Sequence, residues 1–373
     1  MSIVIEPYRA EHEPAVQEFN LRLKAGGAES DLVFFRSAEP RWLPPSQNSD
    51  LYQEYFVAIE SGIVRGGYAL KQQSFSFSDG VVRRVAYYHH PLSEGIVNKS
   101  YAAVGVLLLK HAMSRSPLLY CLGMGGYDRP LPKMLVRLGW AHCAVPFYFM
   151  IVHPYRFLRQ MEALRNSASR RLLMDIAALS GAGWAAVKAF GVMRRLRVPQ
   201  VEPFTVEQIS EYSDWADPLW EKAKGAYVLT AVRDRRSLQT LYPLSNTQLI
   251  RLHIRRANQD IGWAVVGERR KDEKYGSMRV GSILDCWALP ENALPVIRAA
   301  TEALEHAGMD LIVSNQCHQA WGESLEHCGF RRAASKFIFA ASKNLSALLQ
   351  PFEQNQSAMH FTRADGDGLP SNF

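Results

Sequence analysis

A strand–helix–strand unit occurs twice in this chain, and in both copies the helix closes on glycine followed by an aromatic residue. In the first half, Leu118-Leu119-Tyr120-Cys121-Leu122 leads into a helical pattern over 132–140 that ends Leu138-Gly139-Trp140, and an apolar strand pattern follows over 145–152. In the second half, a strand pattern over 310–315 leads into a helix over 320–330 that ends Cys328-Gly329-Phe330, with another strand over 336–341. Such a unit needs a second layer to cover its apolar faces, so the duplication predicts two related α/β halves. It also predicts a cleft between them, and a second, degenerate version of whatever site the first half carries.

The bulk properties agree with two globular domains. The chain has 373 residues, 47% of them hydrophobic and 21% charged, which suits two cores of ordinary size. Its five cysteines (Cys121, Cys143, Cys286, Cys317 and Cys328) are odd in number and scattered. No close Cys-x-x-Cys pair occurs, which argues against a zinc knuckle or a disulfide framework; no metal is expected. Residues 1–6 lack the basic-then-apolar order of a signal peptide, so the expected compartment is the cytoplasm.

Charge narrows the partners. Between Arg165 and Arg197 lie seven basic residues against the single Asp175, so six of the seven net positive charges sit in one segment. A nucleic-acid reader spreads cations over a face with base-reading groups, and nucleic acid is not expected here. Within that segment, 172–193 is mostly apolar and flanked by Arg170-Arg171 and Arg194-Arg195. Its length suits a bilayer, but Asp175 and Lys188 lower its hydrophobicity, and a span would put the two halves on opposite sides. A helix packed on both domains and a helix lying on anionic lipid through its arginines are the other readings. The expected division is a first domain over 1–155, a basic, apolar helical linker over 156–200, a second domain over 201–345 and a polar tail over 346–373. Asp365-Gly366-Asp367-Gly368 in the tail lacks the distal bidentate Glu of a calcium loop.

A strand, a turn rich in backbone N–H groups and a helix together form a general device for binding pyrophosphate. The segment 94–105, Glu-Gly-Ile-Val-Asn-Lys-Ser-Tyr-Ala-Ala-Val-Gly, occupies such a junction. Here the chain resembles the GNAT superfamily of acyl-CoA-dependent N-acyltransferases, which carries Arg/Gln-x-x-Gly-x-Gly/Ala before a Leu-Leu-x-x-Ala helix. Leu108-Leu109-Lys110-His111-Ala112 matches the helix and sets Ser100-x-x-Ala103-x-Gly105 on the loop. The final glycine agrees, Ala103 is a mild change, and Ser100 replaces the usual Arg or Gln beside Lys99. The resemblance covers roughly 1–155 and 200–345. It implies a tandem architecture: two GNAT-like domains, each a mixed, mostly antiparallel sheet flanked by helices.

The resemblance also implies a function, acyl transfer from acetyl-CoA or another acyl-CoA to an amine acceptor. Gly95, Ile96, Val97, Lys99, Ser100, Ala103 and Gly105 would hold the CoA. The second half has no such loop after Asp285, only Cys286-Trp287-Ala288-Leu289-Pro290-Glu291-Asn292, so it is expected to shape the acceptor cleft, with Asp285 as a substrate contact. The family's acid, a Tyr four residues before the helix-closing glycine, is Leu135 here and Leu325 in the second half. An ammonium acceptor must lose a proton before attack, which suits a His near neutrality or a carboxylate. The candidates are His90 (beside His89), Glu94 and Asp128, each of which also has a plain role in a turn or cap. The segment 359–367 resembles C-termini of bacterial GNAT-like proteins of cell-envelope polysaccharide synthesis, pointing to an amino-sugar acceptor. The competing readings are a FemAB-like aminoacyl transferase using charged tRNA, and a noncatalytic GNAT-like protein at the inner face of the membrane.

Overall fold

A computed structural model describes residues 3–40, 43, 50–160, 201–269 and 275–366. Its strands are β1 (Val4–Pro7), β2 (Tyr52–Glu60), β3 (Ile63–Phe77), β4 (Val82–Ser93), β5 (Leu119–Gly123), β6 (Ala141–Ala144), β7 (Phe147–Ile151) and β8 (Thr205–Gln208). They continue as β9 (Leu229–Ala231), β10 (Leu249–Arg256), β11 (Gln259–Glu268), β12 (Val280–Ala288), β13 (Leu311–Asn315), β14 (Arg331–Ala333) and β15 (Ile338–Ala341). The main path of the first sheet runs β1-β2-β3-β4-β5-β15-β6, and the second sheet runs β8-β10-β11-β12-β13-β7-β14. Strand for strand the two orders correspond, with one parallel pair in each path, β4/β5 and β12/β13. Two mixed sheets flanked by helices are the fold class the sequence implied.

The division of the chain differs from the expected one. One compact unit comprises Met1–Phe75, Val81–Cys143 and Ile338–Phe352; the other comprises Ser76–Gly80, Ala144–Phe337 and Glu353–Phe373. The break near 155 therefore moves to 143/144, because β7 leaves the first half and pairs antiparallel with β13, Phe147 opposite Asn315 and Ile151 opposite Leu311. In return β15 pairs with β5, Ile338 opposite Gly123 and Ala341 opposite Tyr120. Period-2 apolar patterning specifies a strand without specifying its partner, so the two closing strands are exchanged with no local signal.

The tail differs as well. Residues 359–365, part of the expected polar tail, are all buried, and residues 343–352 belong to the first unit. Of the expected linker, helix Pro154–Gln160 is described; the apolar segment 172–193 lies outside the described residues. Among the described residues no helix is long and apolar enough to cross a membrane, and no three His, Cys, Asp or Glu side chains converge to hold a metal ion.

In the first unit the helices on the sheet include α1 (Glu13–Ala25), α2 (Val104–Arg115) and α3 (Pro130–Arg137). Val16, Phe19 and Leu23 of α1 pack with Val57 and Val64. Val104, Leu108 and Ala112 of α2 and Leu135 of α3 pack with Ala86, Tyr88 and Cys121 in a separate cluster. The i, i+3, i+7 spacing of the α1 set and the i, i+4, i+8 spacing of the α2 set each make the helical stripe that burial requires.

Candidate active site

The site is built where β4 and β5 separate. These parallel strands pair only at Ala86↔Leu119 and Tyr87↔Tyr120, after which β4 continues to Ser93 and β5 to Gly123, forming a fork. Two irregularities accompany the separation. His90 takes φ 51° inside β4, and Gly123 at the end of β5 and Met124, Gly125 and Gly126 after it all have positive φ. Three of those four are glycines, which accept this backbone without steric cost, whereas His90 and Met124 are strained. Strain of this kind is concentrated at functional sites.

Beyond β4 the chain doubles back tightly. A Cβ on Gly95 would lie 2.6 Å from the Tyr101 carbonyl oxygen and 2.9 Å from the Ala102 Cα, so only glycine fits there. The turn ends at Ala103, which gives α2 no side-chain cap, and the first N–H groups of a helix have no intrahelical acceptor. At Gly105, in that first turn, an added Cβ would meet only the Ser93 Oγ at 3.8 Å. An uncapped positive helix end with open space above its backbone suits a pyrophosphate. Ala103 is exposed and Gly105 half-buried at this end; Lys99 and Ser100 are exposed on the turn before it, and Ile96 and Val97 flank it. A cleft of ≈ 510 Å³ begins at Val106, in the same turn, and runs along α3 past Pro130, Lys133, Met134, Arg137 and Leu138.

Glu94 is committed elsewhere and is a poor candidate for the base. Its carboxylate, 5% exposed as a residue, accepts from Arg22 at 3.3 Å and from Arg65 at 3.0 Å. Arg22 also donates to the Val64 carbonyl, and the Arg65 guanidinium stacks 4.2 Å over the Tyr101 ring. The Glu94 carbonyl accepts from Val97 and Asn98 N–H. Glu94 therefore ties α1, β3 and the turn together, a positioning role. His90 Nε2 lies 2.7 Å from the Val33 carbonyl. Asp128 is exposed and lines the far end of the α3 cleft. The structure thus does not bring Glu94, His90 and Asp128 together as one catalytic group.

Other groups stand closer to the fork. The Tyr88 hydroxyl, one residue past the last β4/β5 pair, is buried without a hydrogen-bond partner. Burial holds its pKa well above normal, so it stays a phenol. Tyr88 shares its core cluster with Leu135. His89 points to the other face of β4, stacks on Tyr87 at 4.8 Å and lies 2.9 Å from Gln53 Nε2. Burial, with His90 and Lys71 nearby, lowers its pKa to about 3, which keeps the imidazole neutral. The Tyr87-Tyr88 pair before the two histidines was the available sequence signal, and it passes equally for a buried strand.

The second sheet treats its corresponding fork differently. β12 and β13 pair at Val280↔Leu311, Gly281↔Ile312 and Ser282↔Val313 and then separate. Asp285, 0% exposed, accepts from Arg233 at 2.6 Å, Thr362 at 3.0 Å and the Tyr242 hydroxyl. Arg233 also donates to Asp365 at 2.6 Å, and Arg363 donates to Asn315 at the end of β13 at 2.7 Å. Burial opposes the charge on Arg233, but the two carboxylates outweigh it and raise its pKa well above normal. Residues 362–365 thus tie β12 to β13, and Asp285 holds the chain's own C-terminal segment rather than facing an acceptor. The expected substrate contact is a structural ion pair.

The fold can be compared with known proteins. Over 91% of its length this chain resembles N-myristoyltransferase of Saccharomyces cerevisiae with bound myristoyl-CoA, across 79% of that chain, at 9% identity and a TM-score of 0.52. It likewise resembles an Enterococcus faecalis V583 protein described as of unknown function and a "Probable N-Acyltransferase", over 91% of this chain and 72% of that one, at 9% identity and a TM-score of 0.50. No protein-family model and no curated protein sequence matches. These likenesses are of fold alone: the chain shares the α/β fold of these two proteins.

Proposed function

We propose that this chain is an acyl-CoA-dependent N-acyltransferase with its working site in the fork of the first sheet. The observation that carries the reading is the conjunction of three features. β4 and β5 diverge after two pairs, the uncapped N-terminus of α2 follows directly, and a cleft continues from its first turn. In this reading the backbone of 95–105 holds the pyrophosphate, with Lys99 and Ser100 beside it, and the acyl arm enters between the strands.

The acyl-CoA supplies a thioester, and the chain orients it. The acceptor nitrogen bonds to the thioester carbon while the carbon–sulfur bond breaks, and the sulfur leaves as a thiolate that requires a proton or hydrogen-bond donor. Tyr88, held protonated by burial, supplies it from β4 in place of the tyrosine replaced by Leu135. General-acid contributions are typically about 10²–10⁴-fold in rate. The acceptor nitrogen gives up its proton to water as it bonds to carbon, which restores the Tyr88 phenol; His89, with its pKa lowered to about 3 and on the other face of β4, is not the base. We take acetyl as the donor group and an amino sugar as the first acceptor to try, on the likeness of segment 359–367; a role in cell-envelope synthesis follows from the same likeness.

The test is amine-dependent release of CoA thiol from acetyl-CoA, with UDP-amino sugars, polyamines and peptides as acceptors. The reading expects turnover with at least one acceptor and a kcat lowered at least about 100-fold in Tyr88→Phe, with little change in KM. Thiol release that requires charged tRNA in place of acetyl-CoA, or wild-type turnover by Tyr88→Phe, would contradict it.

A further inference from the structure

Tyr88 must regain a proton after each transfer, yet it is 1% exposed and its hydroxyl has no hydrogen-bond partner among the described residues. Its ring lies 5.2 Å from that of Tyr68 on the neighbouring strand β3, tilted by 46°. Tyr68 is itself fully buried, and its hydroxyl stands 2.6 Å from His111 Nδ1 on α2, short for a nitrogen–oxygen pair. His111 is half-buried, so it is the first group of the three in contact with solvent. Tyr88, Tyr68 and His111 thus form a series from the fork to the surface of the helix. Burial raises the pKa of both phenols and lowers that of His111, which Arg115 lowers further. The charges facing the series are Arg115 on α2 and Glu54 on β2, paired with each other at 3.3 Å. Phe56 packs on Tyr68 at 5.0 Å and on His111 at 5.3 Å, which holds both rings in place. Neutral phenols and a neutral imidazole each accept a proton on one side and give one on the other.

We propose that His111 and Tyr68 carry the proton that returns to Tyr88. The proposal rests on the acyl-transfer reading above and supplies its proton route. As the thiolate takes the Tyr88 proton, Tyr68 passes its hydroxyl proton to the Tyr88 oxygen through one bridging water. His111 gives its Nδ1 proton to the Tyr68 oxygen and takes one from solvent at Nε2. That solvent proton balances the one released by the acceptor nitrogen, so no charge accumulates in the core. Exchange with solvent then resets the tautomer. Neither residue touches the thioester; both act through Tyr88, as positioning residues.

The experiment measures kcat and KM for thiol release from acetyl-CoA, with an acceptor that wild type turns over, in Tyr68→Phe and His111→Ala, each with and without added imidazole. Both variants are expected to lower kcat about tenfold with KM within about twofold. Imidazole restores the rate of His111→Ala in proportion to its concentration and leaves Tyr68→Phe unchanged. Unaltered CoA affinity by calorimetry shows that each variant is folded. Wild-type kcat in both variants overturns the route while the acyl-transfer reading stands. A loss in His111→Ala that imidazole does not restore also overturns it, since a structural tie between β3 and α2 would behave that way. Absence of turnover by wild type, or wild-type turnover by Tyr88→Phe, overturns both.

Discussion

The two forks occupy the same place in matching strand orders, and they are built differently. In the first, β4 runs into a turn that glycine keeps tight at Gly95 and open at Gly105, and the following helix begins uncapped at the surface. In the second, β12 runs into Pro290–Asn292, and the helix over Ala293–His306 begins buried, Ala293 at 0% exposed and Asn292 at 9%. The gap between β12 and β13 is tied by Arg233, Asp285, Thr362, Arg363 and Asp365. A parting of parallel strands leaves backbone and side-chain groups that must be satisfied. The second half satisfies them with its own C-terminal segment; in the first, the Tyr87 hydroxyl donates to the Leu122 carbonyl at 2.8 Å and the buried Tyr88 hydroxyl is left without a partner. Duplication alone therefore does not double a site.

The contrast can be broken by substitution, and the largest effect is expected in the second fork. Asp285→Ala leaves Arg233 buried with half its compensation and removes the acceptor of Tyr242 and one of the two acceptors of Thr362. Breaking a buried pair this way costs about 3–5 kcal/mol, read as a lowered urea midpoint. Glu94→Gln in the first unit should cost less, about 2 kcal/mol, because Arg22 is a third exposed and Arg65 keeps its 3.2 Å pair with Glu60. An equal or larger loss at Glu94 would reverse the ranking of the two networks.

A smaller effect concerns pH. Each unit holds one deeply buried imidazole at its fork, His89 in the first and His360 in the C-terminal segment of the second. Burial is the main cause in both cases, and both are lowered to about 3 from the usual 6.5. Between those values the unfolded chain binds the extra proton and the folded chain does not. The contribution is therefore complete above about pH 6.5 and lost as pH falls toward 3. The slope is about 1.4 kcal/mol per pH unit for each histidine. His360→Phe should flatten the acid limb by about that amount, measured by urea melts from pH 7 to 4. An unchanged slope would mean that His360 is not held neutral.

Much of the fold was legible because its signals are local. The Gly139-Trp140 and Gly329-Phe330 closures, the strand patterns before them and the turn at 94–105 all follow from short-range spacing. The exchange of β7 and β15 was not legible, because both read as apolar strands and only tertiary pairing chooses the sheet. The tail misled for a physical reason. Arg363 and Asp365 look solvated, but their charges are met by Asn315 and Arg233, 48 and 132 residues away in sequence. Glu94 misled in the same way, its partners Arg22 and Arg65 being remote along the chain. The turn at 94–105 was legible from its place between a strand and a helix and from the Leu108-Leu109-Lys110-His111-Ala112 pattern that follows it.

The central claim is that the chain has one acyl-CoA site, in the first fork, and its most direct test is the stoichiometry of acetyl-CoA binding by calorimetry. Wild type should bind one equivalent per chain. Gly105→Glu, which adds bulk and negative charge over the first turn of α2, should bind none. Two equivalents, or one equivalent that survives Gly105→Glu, would contradict the account.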